Sequence, residues 1–174
     1  MAIVQDDLTL LLQLARDKSV AGRKTLVSTI SDLFSASEML LSERERALMN
    51  DILTKLIRDF EMKVRRDVSE KLAGWSQAPK DLILMLANDE IEVARPILLI
   101  SEVLQDTDLI EIIRHRTTQH QLAVGMRQEL SETVSDALVE VGNVDVIKAL
   151  LDNPNAQLSD AAMNYLVEES RRVD

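Results

Sequence analysis

Residues 81–104 read DLILMLANDEIEVARPILLISEVL, and they contain the helical pattern that recurs along the chain. Two apolar runs, 82–87 and 91–104, have the length and spacing of helices, and they meet at the polar pair Asn88-Asp89. The first run therefore reads as the second helix of one helical hairpin. The second run reads as the first helix of the next hairpin.

The opening of this stretch recurs twice further along the chain. Asp81–Leu86, Asp108–Ile113 and Asp145–Leu150 each place an acid before a short apolar helix, at separations of 27 and 37 residues. These separations are near the period of two-helix solenoid repeats, although their inequality means that the units are not uniform. We expect equivalent buried positions in the three copies at Leu82, Leu86, Leu109, Ile113, Val146 and Leu150.

The composition is typical of an all-α protein. Of the 174 residues, 46% are hydrophobic and mostly aliphatic, 2% are aromatic and only four are glycine, so there are few sharp turns. No apolar run reaches the roughly 18 residues of a membrane span, and Asp6 and Asp7 stand where a signal peptide is basic. The chain has no cysteine, which excludes disulfides and thiolate chemistry. We expect a cytoplasmic protein that does not bind membranes.

The charge is acidic and unevenly placed. The formal net charge is −10, and residues 128–174 hold ten acids and three bases, which gives that segment −7. A nucleic-acid-binding surface needs a basic stripe that replaces the counterions of the phosphates. We therefore expect no nucleic-acid partner.

In the first half of the chain, local signals place the ends of four helices. A first helix should run to about residue 17, with an apolar face made of Leu8, Leu11, Leu12 and Ala15. A second helix should run from about residue 19 to 35–37, and its inward-facing residues should be Val20, Val27, Ile30 and Phe34. Ser42 and Glu45 form a capping box that starts the third helix. A single helix over 42–72 would be about 46 Å long, so we expect a break near residues 60–62. Gly74 should end the fourth helix in the left-handed conformation, with Trp75 packed over its last turn.

In the second half, proline and glycine mark the boundaries. Pro79 suits the first turn of the next helix, and Pro96 means that the helix around it either begins there or bends there. Further helices are expected over 108–114, 120–127 and 130–141, with Gly142 closing the last of them. After a turn at 153–155, the final helix should present one apolar face, made of Leu158, Ala161, Ala162, Tyr165 and Leu166.

The two histidines, His115 and His120, are five residues apart, whereas two ligands on one helical face are three or four apart. We expect solvated histidines in a turn.

The segment His120–Gly125 resembles the phosphorylated segment of histidine phosphotransfer bundles, although the lysine usual there is absent. No nucleophile elbow, phosphate-binding loop or metal motif is present, so we predict no catalytic residue, no metal and no cofactor.

Glu132, Asp136 and Glu140 stand four residues apart and line one face of a predicted helix. Like charges at this spacing cost a few tenths of a kcal/mol per pair, so this acidic stripe is either a solvated surface or the candidate binding site for a basic partner. The bases between residues 55 and 71 alternate with acids at helical spacing, and we expect them to pair locally.

Two family resemblances can be read from the residues. Asp59–Val68 (DFEMKVRRDV) is similar to the start of a HEAT repeat, in which an acid precedes a Val-Arg pair, and Asp89–Arg95 is similar but has an alanine between its valine and arginine. The second resemblance is carried by Ala78-Pro79, by Leu86–Ala94 and by the spacing to Ser101 and Leu104. With these residues, most of the chain resembles an uncharacterised bacterial family, domain of unknown function 2336. This resemblance implies an all-helical cytoplasmic protein and brings no catalytic residues. Members of that family are longer, which implies that this chain is the N-terminal part of a longer protein.

We therefore predict an all-α fold, a HEAT/armadillo-like α-solenoid of stacked helical hairpins with about 8–10 helices. Residues 1–174 should form one domain, with N-terminal helices over 1–60 and HEAT-like repeats over 61–174. The predicted function is a non-enzymatic scaffold for a protein partner. The alternative is a phosphotransfer or signalling component that uses His120. The oligomeric state is not predicted.

Overall fold

Apolar residues spaced three and four apart give each helix a face that it can bury, and the chain is helical as the sequence predicts. The computed structural model describes residues 9–14, 16–40 and 42–172, and these residues form eleven helices and no strand. The helices are α1 (described at residues 9–14 and 16), α2 (Val20–Leu40), α3 (Glu43–Arg58), α4 (Met62–Leu72), α5 (Lys80–Ala87), α6 (Ile91–Ile100), α7 (Asp106–His115), α8 (Thr118–Gly125), α9 (Glu132–Val141), α10 (Val144–Leu151) and α11 (Asp160–Arg172). The all-helical prediction is confirmed.

The capping box and the break after the third helix are also confirmed. The Ser42 hydroxyl accepts the Glu45 N–H at 3.5 Å, and the Glu45 carboxylate accepts the Ser42 N–H at 3.1 Å. Helix α3 ends at Arg58 and α4 begins at Met62. Phe60 lies in the intervening turn and is buried. The core therefore holds the break in place.

The predicted end of α2 and part of the predicted apolar face of α1 need correction. Helix α2 continues to Leu40, beyond the stop expected at residues 35–37. Hydroxyl groups within this helix donate to carbonyls one turn earlier, as Thr25 does to Ala21, so they do not compete with the helical backbone. In α1, Leu11 is buried and Leu12 is exposed, while Leu8 and Ala15 lie outside the described residues.

The two glycines that were expected to end helices behave differently. Gly142 closes α9, as predicted, and it does so with φ 73°, in the left-handed conformation. Gly74 does not adopt a positive φ, because the chain leaves α4 through right-handed turns in which the Trp75 N–H donates to Leu72 and the Ala78 N–H to Trp75. The Trp75 ring lies 5.9 Å from the ring of Phe34, so it packs against α2.

The helices pack in two series. The even-numbered helices α2, α4, α6, α8 and α10 pack one on the next, while α3 packs on α5 and α7 on α9. Sequence neighbours such as α5 and α6, or α9 and α10, pack across the two series. Helices α5, α7 and α9 begin at Lys80, Asp106 and Glu132, which are 26 residues apart in each step. The C-terminal part of the chain is therefore evenly spaced, unlike the separations of 27 and 37 predicted from the sequence.

The six positions that were expected to be buried are all buried, with at most 3% of each residue exposed. Their equivalence holds only for the first two copies. Asp81–Leu86 and Asp108–Ile113 lie on α5 and α7, whereas Asp145–Leu150 lies on α10, which packs on α8 in the even-numbered series. The third copy was therefore wrongly aligned, because an acid followed by an apolar run starts helices of both series.

Helix α6 passes through Pro96 and ends at Ile100, and its C-terminus is capped by a buried arginine. The Arg127 guanidinium donates to the carbonyl of Leu98 at 2.8 Å and to that of Ser101. A cation at this end also interacts favourably with the helix dipole. Burial lowers the pKa of Arg127, and the charges of nearby acids such as Glu129 oppose that shift.

Candidate partner-binding groove

An open groove of about 590 Å³ runs between α7, α9 and α11. Ile110 and Arg114 line it from α7, Asp136, Ala137 and Glu140 from α9, and Tyr165 from α11. The residues of the predicted acidic stripe lie on α9. The structure brings Asp136 and Glu140 to the groove, while Glu132 is exposed at the start of the same helix and does not line it.

Asp136 has a structural contact in addition to its place in the groove. Its Oδ1 accepts a hydrogen bond from the Ser159 hydroxyl at 2.9 Å. The Ser159 oxygen in turn accepts the Ala162 N–H at 3.1 Å, at the start of α11. Asp136 therefore holds the beginning of α11 against α9, which the sequence prediction of a solvated stripe did not include.

The walls of the groove are apolar between these charges. Ala137 and Ala162 are buried, Ile110 is half-buried, and Tyr165 is 48% exposed. Of the predicted final face, Leu158 and Leu166 pack partly on the core. The groove thus combines an apolar lining with carboxylates on one side and the guanidinium of Arg114 on α7.

Sequence reasoning missed the largely buried ion pair between Arg65 and Asp89. The Arg65 Nε lies 2.5 Å from Asp89 Oδ2, and Nη2 lies 2.9 Å from Oδ1. The two side chains are 16% and 15% exposed. Arg65 lies in the basic segment that was expected to pair locally, and it instead joins α4 to the turn between α5 and α6. Arg66 does pair locally, with Asp67 and Glu70.

Asp89 also receives contacts from the turn between α7 and α8. Its carbonyl oxygen accepts from Arg116 Nη2 at 3.3 Å and lies 2.9 Å from His120 Nε2. Burial raises the pKa of the Asp89 carboxyl. This effect is outweighed by hydrogen bonds from Arg65 and from the Glu90 N–H and by the charges of Arg65 and Arg116, so the pKa lies below its ordinary value. Asp89 therefore stays ionised and connects three parts of the chain.

The prediction of solvated histidines is wrong for His120, which is 2% exposed. Its Nε2 must carry the hydrogen, because the Asp89 carbonyl can only accept, and Nδ1 then accepts from the Thr117 hydroxyl at 2.8 Å. Burial lowers the pKa of His120, the hydrogen bond to Asp89 opposes this, and the charge of Arg116 adds to the lowering. His115 is exposed, as predicted, and lies 3.3 Å from the Glu111 carboxylate.

Two further observations concern metal ions and membranes, in the part of the chain that the structure describes. No group of three or more histidine or carboxylate side chains there could hold a metal ion. No helix there has both the length and the apolar character that crossing a bilayer requires.

Comparison with known proteins gives a family match over part of the chain. No curated protein and no solved structure matches it. Residues 93–174, a little under half of the chain, match a family described as "Uncharacterised protein conserved in bacteria (DUF2336)". This is the family that the sequence resembles, although the match begins at Val93 and does not cover most of the chain as expected. Every residue named above as lining the groove lies within this matched segment, 93–174.

Proposed function

We propose that this protein is a non-enzymatic interaction module, built as a HEAT-like α-solenoid, that binds a protein partner in the groove between α7, α9 and α11. The even 26-residue spacing of α5, α7 and α9, and the packing of alternate helices in series, support the solenoid architecture. Stacked hairpins of this kind present extended surfaces for protein binding.

One observation carries the proposal: two of the three stripe residues converge on a groove with an apolar lining. Asp136 and Glu140 stand beside Ala137 and Tyr165. A purely solvated acidic surface would not need an adjoining open apolar groove, whereas a docking site combines apolar contact area with a polar rim. Acidic residues at such a rim attract a basic partner and speed its association.

The alternative prediction, phosphotransfer through His120, is favoured by no specific observation. Phosphorylation needs a ring nitrogen that is open to a donor, and both nitrogens of His120 are engaged in a buried setting. Incubation with acetyl phosphate, followed by an assay for acid-labile phosphate, should give no label. Labelling that is lost in His120→Asn would support the alternative.

Site-specific photo-crosslinking in cells of the native host tests the proposal. A photoreactive amino acid replaces the exposed, groove-lining Ala161, and in the control it replaces Glu92, an exposed residue of α6 that does not line the groove. We expect a discrete crosslinked protein from position 161 only. The crosslink should disappear when Tyr165→Glu places a charge in the apolar wall. A crosslink that survives this change, or equal products from both positions, would contradict the proposal.

Two sequence predictions accompany this proposal and stay predictions. One is the cytoplasmic location. The other is a single domain with N-terminal helices over 1–60 and HEAT-like repeats over 61–174.

A further inference from the structure

We infer that the occupant of the groove is a basic amphipathic helix of a protein partner. This inference rests on the proposed function, since it names the chemistry of the partner that the groove would accept. It is carried by the arrangement of charge and apolar surface around α9.

The walls of the groove favour a helix over an extended peptide. All three walls are helices, whose internal backbone N–H and C=O groups are bonded within the helix, so an extended chain would find no strand edge to pair with. A helix brings its own backbone hydrogen bonds and needs only side-chain contacts. Ala137 and Ala161 have small side chains, which allow the axis of a docked helix to approach closely.

The length of the groove fits about two helical turns. On α9 the groove-lining residues run from Thr133 to Glu140. At about 1.5 Å per residue this span is roughly 10 Å long. A docked helix of similar length presents apolar side chains at positions i, i+3, i+4 and i+7, which is the spacing that helix-in-groove binding uses.

The charges of the groove match a basic helix in both sign and spacing. Asp136 and Glu140 are one turn apart, about 6 Å along α9, and Lys or Arg side chains at i and i+4 of a docked helix have the same separation. Within the described residues Ser159 bonds only Oδ1 of Asp136, which orients this carboxylate and leaves Oδ2 for a partner. Arg114, on α7, would then face an acid or a neutral residue of the docked helix.

Two other occupants fit less well. Nucleic acid would be repelled by the carboxylates and by the excess of acids in residues 128–174. A second copy of this chain would have to offer an exposed basic helix, yet the most basic helix, α4, buries its apolar face through Val64, Val68 and Leu72. A basic helix from a different protein remains as the occupant.

Fluorescence anisotropy with synthetic peptides tests the inference. The probe is an amphipathic helical peptide with leucines at the spacing given above and lysines four apart beside them. One control peptide has the same composition in scrambled order, and a second has glutamate in place of lysine. We expect the probe to bind at least about tenfold more tightly than either control, with an affinity that falls as salt is added.

Protein variants locate the binding on this groove. Ala161→Trp should fill the groove and weaken probe binding at least about tenfold, whereas Ala47→Trp, on an exposed part of α3, should leave it unchanged. Glu140→Lys should slow association at low salt by about fivefold or more, and Glu92→Lys, on α6, by less than about twofold.

Each outcome decides between the two claims. Equal binding of the probe and the scrambled peptide, or no effect of Ala161→Trp, would overturn the inference. If position 161 crosslinks a protein in cells while the probe fails to bind, the groove is a docking site with another kind of occupant. Self-association that is abolished by Ala161→Trp would identify that occupant as a second copy. The loss of both the crosslink and probe binding would overturn the proposed function as well.

Discussion

Asp89 and Asp136 are both aspartates that connect neighbouring helical elements, but they differ in how much of the carboxylate the protein uses. At Asp89 both oxygens accept from Arg65 in a setting from which most water is excluded. At Asp136 one oxygen accepts from Ser159 at the edge of an open groove. A carboxylate engaged on both oxygens and largely desolvated fixes the fold, whereas one engaged on a single oxygen beside solvent can also meet a partner.

The largest difference between the two regions should appear when each aspartate is removed. Asp89→Ala leaves the Arg65 guanidinium largely buried without its anion, so we expect the free energy of unfolding to fall by about 3–5 kcal/mol. Asp136→Ala loses one hydrogen bond and should cost about 1 kcal/mol. Urea denaturation of the two variants measures both values. Equal losses would contradict the comparison.

The apolar residues of the two regions should differ in the same direction. Leu86 is fully buried on α5, and Leu86→Ala should cost about 2–5 kcal/mol. Tyr165 is half exposed in the groove, and its truncation to Ala should lower the free energy of unfolding by less than about 1 kcal/mol. Thermal and urea unfolding check these values, and a loss below about 1 kcal/mol for Leu86→Ala would mean that α5 does not pack as described.

The attachment of α11 should be weaker than that of the stacked helices. Ser159→Ala removes both the N-terminal cap of α11 and the hydrogen bond to Asp136, so we expect a loss of about 1 kcal/mol. Amide hydrogen exchange should show faster exchange in α11 while α5 to α8 keep their protection. Thr133→Ala, an exposed groove residue that makes no cap, is the matched control. Faster exchange throughout the chain would contradict a local role.

The smallest expected effect concerns pH and the region around Asp89. Because the folded pKa of His120 lies below its ordinary value of 6.5, the unfolded chain binds more protons there, so stability should decrease as pH falls from about 7 to about 5. His120→Asn removes this titration and should flatten the dependence. His115→Asn, at an exposed site, should keep it. Chemical denaturation at a series of pH values compares the three proteins, and identical slopes would show that His120 does not contribute.

Local sequence signals predicted the features that depend on a few neighbouring residues. The capping box at Ser42 and the end of α9 at Gly142 follow from residue types within one turn, whereas the break near Phe60 was predicted from the length of an uninterrupted helix. The residues of the acidic stripe lie four apart on α9, and helical periodicity places such residues on one face. What periodicity could not give was the neighbour of that face, and hence the groove.

The errors arise where distant segments meet. Arg65 and Asp89 are 24 residues apart, so local spacing assigned Arg65 to nearby acids. His120 is polar and close to a turn, yet it is buried because the turn before α6 lies against it. Gly74 has an ordinary φ because the following residues continue in right-handed turns. For Arg65 and His120 the deciding interaction is tertiary, and one sequence contains no direct signal for it; for Gly74 it is the local geometry of the turns that follow α4.

The serine caps of α9 and α11 have a mechanical consequence. Ser131, which caps α9, donates to the carboxylate of Asp106 on α7 at 2.7 Å, as Ser159 before α11 donates to Asp136 on α9. A hydrogen bond is directional and weakens steeply when it is stretched or bent. Each pair therefore favours one register between two helices, α9 on α7 and α11 on α9. These three helices form the groove, so the two serines help to define the position of its walls.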